Sequence, residues 1–404
     1  MNSKIINVIG LGYIGLPTAA LLASKNFHVN GIDIDKNIVR KINKGKAHIN
    51  EPGLSSIVNK AVNKGNLKAF NKVVTGDIFI ICVPTPIYLG KSPTPNVEHV
   101  LNAARNIAPL IKPGDYVILE STSPVGTTEK LSKVFKEGGV NIKKIFIAYC
   151  PERVLPGSIL NELVQNDRIV GGLNAEGTKK IANFYRSFIK GKVHETNAKT
   201  AEMTKLVENS FRDVNIAFAN ELSLLCSNKK INVSDVISLA NKHPRVNILT
   251  PGIGVGGHCI AVDPWFLVAC DKSNSNLIRI GRHINDKKTK WVINKIRLAA
   301  KILENKKKRK IKIACLGLSY KPNTEDIRNS PAKKISESLV KSGYKVLVVE
   351  PNIKNFFFLK LTDLDTAIRK ADIIAILVKH KEFIKPNIKK KLINSNYLDF
   401  CDAL

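Results

Sequence analysis

A chain of 404 residues, 44% hydrophobic and 24% charged, is long enough for two or three separate cores and too evenly mixed for a disordered or fibrous protein. No apolar run approaches the length of a membrane span. The short apolar stretch near the start runs straight into a glycine turn with no small-residue cleavage site, which points to a cytoplasmic protein. The net charge of +31 raises nucleic-acid binding as a function class, but the lysines are dispersed and no aromatic platform is interleaved with them. The alternative is a solvated, lysine-rich surface whose positive field favours small anions, dinucleotides and nucleotide sugars among them.

In chain order, "KIINVIG" reads as a buried strand, "LPTAALLASKN" as a helix and "HVNGIDI" as the next strand. Between the first strand and the helix lies "GLGYIG", which fits G-x-G-x-x-G, and Asp33 closes the second strand. In that context the motif predicts a dinucleotide site. Gly10 permits the tight turn, Gly12 lets the backbone approach a pyrophosphate at the helix N-terminus, and Gly15 allows close packing of helix on strand. Tyr13 and Ile14, between these glycines, are placed on the cofactor with them. Asp33 accepts from both ribose hydroxyls and repels a 2′-phosphate, which favours NAD over NADP. Further strands, "DIFIICVP", "DYVILES" and "KIFIAYC", alternate with helical stretches and predict a parallel, doubly wound sheet. Thr85, Thr122 and Thr127 follow strand ends and are candidates for contact with the cofactor or a catalytic water; loop capping is the alternative for each.

From residue 198 the pattern changes. "KTAEMTKLVENSFRDVNIAFANELSLLCSNK" holds helical periodicity with almost no breakers, long enough for a spine between domains and a dimer surface. A glycine-rich loop, "GVGGHCIAVDP", then carries Cys259 and Asp263. The other cysteines, at 82, 150, 226, 270, 315 and 401, form no C-x-x-C pair, so neither a disulfide framework nor a metal site is expected, and most fill core space. After the lysine-rich stretch "ENKKKRKIK", taken as a linker, strand, glycine turn, helix, strand and acid repeat the order of residues 5–35. The fold class is α/β, two Rossmann-like αβα domains joined by a helical central domain, divided at 1–197, 198–304 and 305–404.

The stretches "GLGYIGLPTA", "STSPVGTT", "CPERVLPG", "KLVENSFRDVNIAFANEL", "HPRVNILTPGIGVGGHCIAVDPWFL" and "YKPNTEDIRNSPA" follow one another along essentially the whole chain. Together they resemble the UDP-sugar 6-dehydrogenase family. "GGHCIAVDPWF" is similar to its N-acetyl-mannosamine branch; UDP-glucose dehydrogenases usually carry a lysine just before the aspartate, where this chain has Val262.

The resemblance implies a four-electron oxidation of UDP-N-acetyl-D-mannosamine at C6 to the uronate, with NAD, for surface polysaccharide synthesis. Cys259 would add to the C6 aldehyde, and the thiohemiacetal would collapse to a thioester that water hydrolyses. Gly254, Gly256 and Gly257 would remove side chains so that the sugar can approach, and His258 would orient the loop. Lys205 and Asn209, one helical turn apart, would stabilise alkoxide or oxyanion charge. Asp263 would hold Lys205 or the hydrolytic water, and Glu152 matches the family glutamate assigned to thioester hydrolysis. A second acid of the UDP-glucose branch is Pro156 here. Substrate contacts carried over by motif are Arg153, Val154, Lys205, Asn209, Arg212, His243, Arg245, Gly256, Tyr320, Lys321 and Arg328. Cationic side chains suit the UDP pyrophosphate. The partners implied are the UDP-sugar and a second copy of the chain, in a homodimer or higher homo-oligomer built on the long helix, with Arg245 reaching the neighbouring subunit's site; no nucleic acid and no membrane are expected. UDP-N-acetyl-glucosamine or UDP-glucose are the alternative substrates, and a catalytically silent nucleotide-sugar sensor is the alternative without turnover.

Overall fold

The computed structural model describes residues 4–88, 90, 93–353, 356 and 359–404. The chain forms two compact units. One holds the chain up to Val207 together with Trp265–Cys270; the other holds Glu208–Pro264 and Asp271–Leu404.

The first unit alternates strand and helix: β1 (Ile5–Ile9), α1 (Gly15–Ser24), β2 (His28–Ile32), α2 (Lys36–Asn43), α3 (Leu54–Asn63), β3 (Leu67–Phe70) and β4 (Ile78–Ile81). A small ribbon of β5 (Ile87–Tyr88) and β6 (Thr94–Pro95) comes next, then α4 (Glu98–Ile107), β7 (Tyr116–Leu119) and α5 (Thr127–Glu137). The unit continues with β8 (Phe146–Tyr149), α6 (Ile159–Gln165), β9 (Arg168–Gly172), α7 (Ala175–Arg186) and β10 (Val193–Asn197). Eight strands form one sheet in the order β10-β9-β8-β7-β4-β1-β2-β3. Its central strands are apolar throughout because both faces are covered. Ile78 and Ile80 of β4 enter one core with Val8 and Ile118, while Phe79 and Ile81 enter the other with Val117 and Leu119. The strand order reverses between β1 and β4, and such a switch point opens a crevice at the C-terminal strand ends.

The expectation of a parallel sheet holds from β3 to β8 and is corrected beyond it. β9 runs antiparallel to β8 through Ala148↔Gly172 and Tyr149↔Gly171, and β10 follows β9 in parallel. The connection leaving β8 is pinned by Glu51, which accepts from the backbone N–H groups of Gly157 and Ile159, both at 2.8 Å. Helix α6, only seven residues long, does not carry the chain back across the sheet, so β9 re-enters from the edge that β8 has just left.

Two helices of 32 residues each, α8 (Ala198–Lys229) and α11 (Asn276–Lys307), dominate the middle of the chain. Between them come α9 (Val233–Ala240) and α10 (Asp263–Cys270). Within the second unit, α8 and α11 share a buried polar seam. Arg282 meets Asp213 at 2.6 Å, Asn285 donates to Asp213 at 2.7 Å, and Asn220 donates to Asn285 at 2.8 Å. Lys288 donates to Ser223 at 2.6 Å, and burial lowers its pKa to about 8.

The second sheet is built from β11 (Lys312–Leu316), β12 (Lys345–Val349), β13 (Ile373–Ile376) and β14 (Tyr397–Asp399), in the order β12-β11-β13-β14, all parallel. Helices α12 (Pro331–Lys341), α13 (Leu364–Lys370) and α14 (Pro386–Ile393) connect its strands. Ile313 and Cys315 face one core, Ala314 and Leu316 the other. The repeat read in the sequence is physical. Gly10 and Gly317 both take positive φ, +90° and +103°, directly after their first strands. Asp33 accepts from Leu11 N–H at 3.0 Å, as Glu350 accepts from Leu318 N–H at 2.8 Å. The second acid differs in being buried against His380 at 3.1 Å, and its pKa lies at about 2: burial raises it, but the bonds from His380 and the backbone outweigh that.

The lysine-rich "linker" is corrected as well. Helix α11 runs to Lys307, and the junction is clamped by Asp372, which takes Lys307 at 2.7 Å, Arg309 at 2.6 Å and Lys312 N–H at 2.9 Å. Three donors around one carboxylate turn a repulsive basic run into a fixed corner. Of the cysteines expected to fill the core, Cys150, Cys226 and Cys315 do; Cys82 and Cys401 are half-buried and Cys270 is exposed.

Candidate active site

The glycine turn after β1 carries out its steric tasks visibly. A Cβ on Gly10 would lie 2.8 Å from the Cys82 carbonyl oxygen, and one on Gly15 only 1.7 Å from the Gly10 carbonyl oxygen. A Cβ on Gly12 would meet nothing within 4 Å, so the backbone there faces open space wide enough for a phosphate to approach. Tyr13 and Ile14 lead from this turn into α1, with Ile14 at its N-cap. Asp33, half-buried at the end of β2, accepts from Leu11 N–H at 3.0 Å and Asp35 N–H at 2.9 Å, which leaves each oxygen a lone pair for a ribose hydroxyl. These residues fit NAD. Asp33→Ala is expected to weaken NAD+ use by about 1.5–3 kcal/mol, the loss of charge-assisted hydrogen bonds, and to narrow the preference over NADP+. Steady-state kinetics with both cofactors checks this; an unchanged preference means that another acid reads the ribose.

The threonines separate. Thr85 donates to the Thr122 carbonyl at 2.6 Å, tying together the loops after β4 and β7, and Thr122 itself is half-buried. Thr127 is 1% exposed and donates to the Pro124 carbonyl at 2.6 Å. Its hydroxyl closes the turn into α5, the capping alternative to the cofactor contact expected of it. Behind it, fully buried Glu202 of α8 accepts from Gly126 N–H at 2.6 Å and Thr128 N–H at 2.8 Å. The sequence reading missed this anchor, which lies one helical turn before Lys205 on α8. Lys205 is half-buried.

Glu152 follows β8 and is 7% exposed. One of its oxygens accepts from Arg153 N–H at 2.7 Å and the other lies 2.8 Å from Arg168. Neither Arg168 nor Glu120, a second carboxylate 3.8 Å from the same guanidinium, was legible as part of a site. The available signal was an acid directly after the apolar strand "YVIL" and an arginine opening "RIVGG". Arg153 and Val154 are half-buried on the following loop, where Arg153 donates to the Asp167 carbonyl at 3.2 Å.

In the second unit, Cys259 is half-buried at the turn leading into α10; its carbonyl accepts from Val262 N–H at 2.9 Å and Asp263 N–H at 2.8 Å. Asn209, 8% exposed, donates to the Asp263 carboxylate at 2.5 Å. This contact orients the Asn209 amide and adds to the role expected of Asp263 toward Lys205 or the hydrolytic water. The glycines have a steric reason within the protein as well. A Cβ on Gly254 would lie 2.3 Å from Thr289 Oγ1, one on Gly256 within 2.9 Å of Pro331, Tyr320 and Asn329, and one on Gly257 3.0 Å from the Tyr320 ring. Side chains at these three positions would collide with the loop's own unit. Gly257 donates to the Arg328 carbonyl at 3.0 Å and accepts from Asn329 Nδ2 at 3.1 Å, a clasp that the sequence reading missed.

His258 lies 3.9 Å from Asp326; burial first, then the Arg328 guanidinium, lowers its pKa below the ordinary value. Arg328 is forked onto Asp326 at 2.9 and 2.6 Å, so its orientation is fixed. Lys321 extends over the Tyr320 ring at 5.7 Å. Arg212 on α8 and His243 and Arg245 after α9 are exposed, with Arg245 N–H donating to the His243 ring at 3.3 Å.

Three consecutive family descriptions match the chain: the NAD binding domain over residues 4–189, the central domain over 199–287 and the UDP binding domain over 314–402. The chain is 50% identical over 395 residues to a UDP-N-acetyl-D-mannosamine dehydrogenase of Campylobacter jejuni, covering 94% of this chain and 96% of that one. It is 48% identical over 402 residues to the protein of the same name from Escherichia coli K12, covering 95% of each. The solved structure of a UDP-D-ManNAc dehydrogenase from Pyrococcus horikoshii superposes with a TM-score of 0.91 at 40% identity, over 99% of this chain and 96% of that one. With a dinucleotide turn built as the first domain requires and with all three domains matched in order, this chain belongs to the UDP-glucose/GDP-mannose dehydrogenase family.

Proposed function

We propose that the chain is an NAD-dependent UDP-N-acetyl-D-mannosamine 6-dehydrogenase that makes the uronate for surface polysaccharide in the cytoplasm. The observation that carries the reading is similarity over nearly the whole length to relatives bearing that name, at 50% and 48% identity. Bound NAD+ would take up a hydride in each of the two oxidations. The chain's own part falls to Lys205, Asn209, Asp263, Cys259, Glu152 and Thr122. Lys205 and Asn209 stabilise the alkoxide and later the oxyanion, with Asn209 held by Asp263. Cys259 adds to the C6 aldehyde, and its thiohemiacetal collapses to a thioester. Glu152 takes a proton from the water that hydrolyses it. Thr122 positions that water, while Arg153, Val154, Arg212, His243, Arg245, Gly256, Tyr320, Lys321 and Arg328 hold the UDP-sugar. The division at 1–197, 198–304 and 305–404 into NAD-binding, central and UDP-sugar-binding parts belongs to the same proposal.

A homodimer through α8 completes the reading. Met203, Val207, Phe211, Phe218 and Leu225 recur at intervals of four and seven residues along this helix and are all exposed, Phe211 at 66%. A continuous apolar stripe of this kind needs a partner. Among the described residues no helix is long and apolar enough to cross a membrane.

The substrate is tested by absorbance at 340 nm with NAD+ and a panel of UDP-sugars. UDP-N-acetyl-D-mannosamine is expected to give a kcat/KM at least about a hundredfold above UDP-glucose, because a polar N-acetyl partner left unpaired is heavily penalised. Comparable values for the two sugars would sink the subfamily assignment and leave the family intact.

A further inference from the structure

We infer that Arg168 and Glu120 are positioning residues for the Glu152 carboxylate in the hydrolytic step. This rests on the reading of Glu152 as the base for thioester hydrolysis. The antiparallel turn after β8 is what creates the arrangement. Strand β9 pairs Tyr149 with Gly171, and three residues further along the same register Glu152 stands opposite Arg168. The guanidinium reaches Glu152 at 2.8 Å and Glu120 at 3.8 Å, and its carbon lies 5.4 Å from the centre of the Tyr185 ring. The Arg168 and Glu152 side chains are 3% and 6% exposed. Glu120 has no exposure; it accepts from the Tyr185 hydroxyl at 2.7 Å and from the Cys82 thiol at 3.3 Å.

Burial of three charged groups does not serve stability: apolar side chains of similar volume would stabilise the unit equally well or better. The arrangement does suit a base. The arginine fixes the direction of the Glu152 carboxylate at 2.8 Å. Glu120 lies against the same guanidinium at 3.8 Å. When Glu152 takes up a proton, Arg168 keeps a carboxylate partner and no unpaired charge is left in the interior. In the step served, water adds its oxygen to the thioester carbon and gives one proton to Glu152. The carbon–sulfur bond breaks and the thiolate takes up the proton that Glu152 releases, leaving a carboxylic acid, Cys259 as its thiol and Glu152 again as its carboxylate. No electrons are transferred.

The test uses the full-length enzyme with NAD+ and UDP-N-acetyl-D-mannosamine, with Arg168→Gln, Arg168→Lys, Glu120→Gln and Glu152→Gln side by side. Kinetics are combined with mass spectrometry of acid-quenched turnover mixtures. Glu120→Gln and Arg168→Gln are expected to keep KM within about threefold of wild type while kcat falls on the order of a hundredfold, the scale of general-base catalysis. The acyl adduct on Cys259 becomes the predominant form in both. Arg168→Lys regains part of kcat because it restores the charge. If Arg168→Gln does not fold, Glu120→Gln carries the test, since it leaves Arg168 paired with Glu152. Wild-type kcat in Glu120→Gln, or a lowered kcat with no rise in adduct, overturns the inference. Should Glu152→Gln itself fail to accumulate the adduct, the reading of Glu152 as base falls and this inference falls with it. Accumulation in Glu152→Gln alone removes only the roles of Arg168 and Glu120.

Discussion

Cys259→Ser is expected to lose turnover to the uronic acid by on the order of a thousandfold or more, while NAD+ and UDP-sugar binding stay close to wild type. Serine is a much weaker nucleophile at neutral pH, and its ester hydrolyses more slowly than a thioester. The substitution is sterically mild: Cys259 is half-buried, and the loop is held by its backbone, through the clasp at Gly257 and the turn into α10, neither of which uses the thiol. A fall in activity will therefore report chemistry and not collapse of the loop. Lys205→Ala provides the contrast, because alkoxide stabilisation is needed in both oxidations and both should slow. Mass spectrometry of quenched wild-type enzyme should find a sugar adduct on the Cys259 peptide and on no other cysteine peptide. Two NADH per sugar at a wild-type rate from Cys259→Ser would end the covalent role.

Asp213→Ala is expected to destabilise the second unit by up to about 3–5 kcal/mol, because it leaves buried Arg282 with only the exposed Asp286 carboxylate at 3.0 Å as partner. Asp213 is fully buried, and burial raises its carboxyl pKa to about 6 even against Arg282 at 2.6 Å. Removing it also frees Asn285, which holds Asn220, and Asn220 in turn accepts from Gly252 N–H at 2.9 Å at the root of the cysteine loop. Thermal unfolding should shift down by roughly 10 °C for units of this size. Alkylation of Cys259 below that temperature should become faster as the loop loosens. A melting temperature within a degree of wild type would show that the seam between α8 and α11 is not what holds this unit together.

Much of the candidate site is written in short stretches of the chain, and for a physical reason. The turn "GLGYIG" and Asp33 were legible because their requirements are local: positive φ at Gly10, a carbonyl 1.7 Å from any Cβ at Gly15, and an acid where the next strand ends. Helix α8 was legible because periodicity and the lack of breakers are local too. The second sheet could be read from the recurrence of the same local pattern around Gly317 and Glu350. What the tertiary structure alone decided depends on segments far apart in sequence. The glycines before Cys259 were recognised, but their steric reason within the protein lies in Thr289, Tyr320 and Pro331, which no neighbouring residue announces. The antiparallel entry of β9 sets which residue faces Glu152, and a strand's direction is not encoded in its own apolar pattern. Arg168 and Glu120 meet Glu152 and Tyr185 only through the packing of residues from β9, the ends of β7 and β8, and α7. Charge pairing is decided by register and burial, whereas turns and helices are decided by the sterics of adjacent residues.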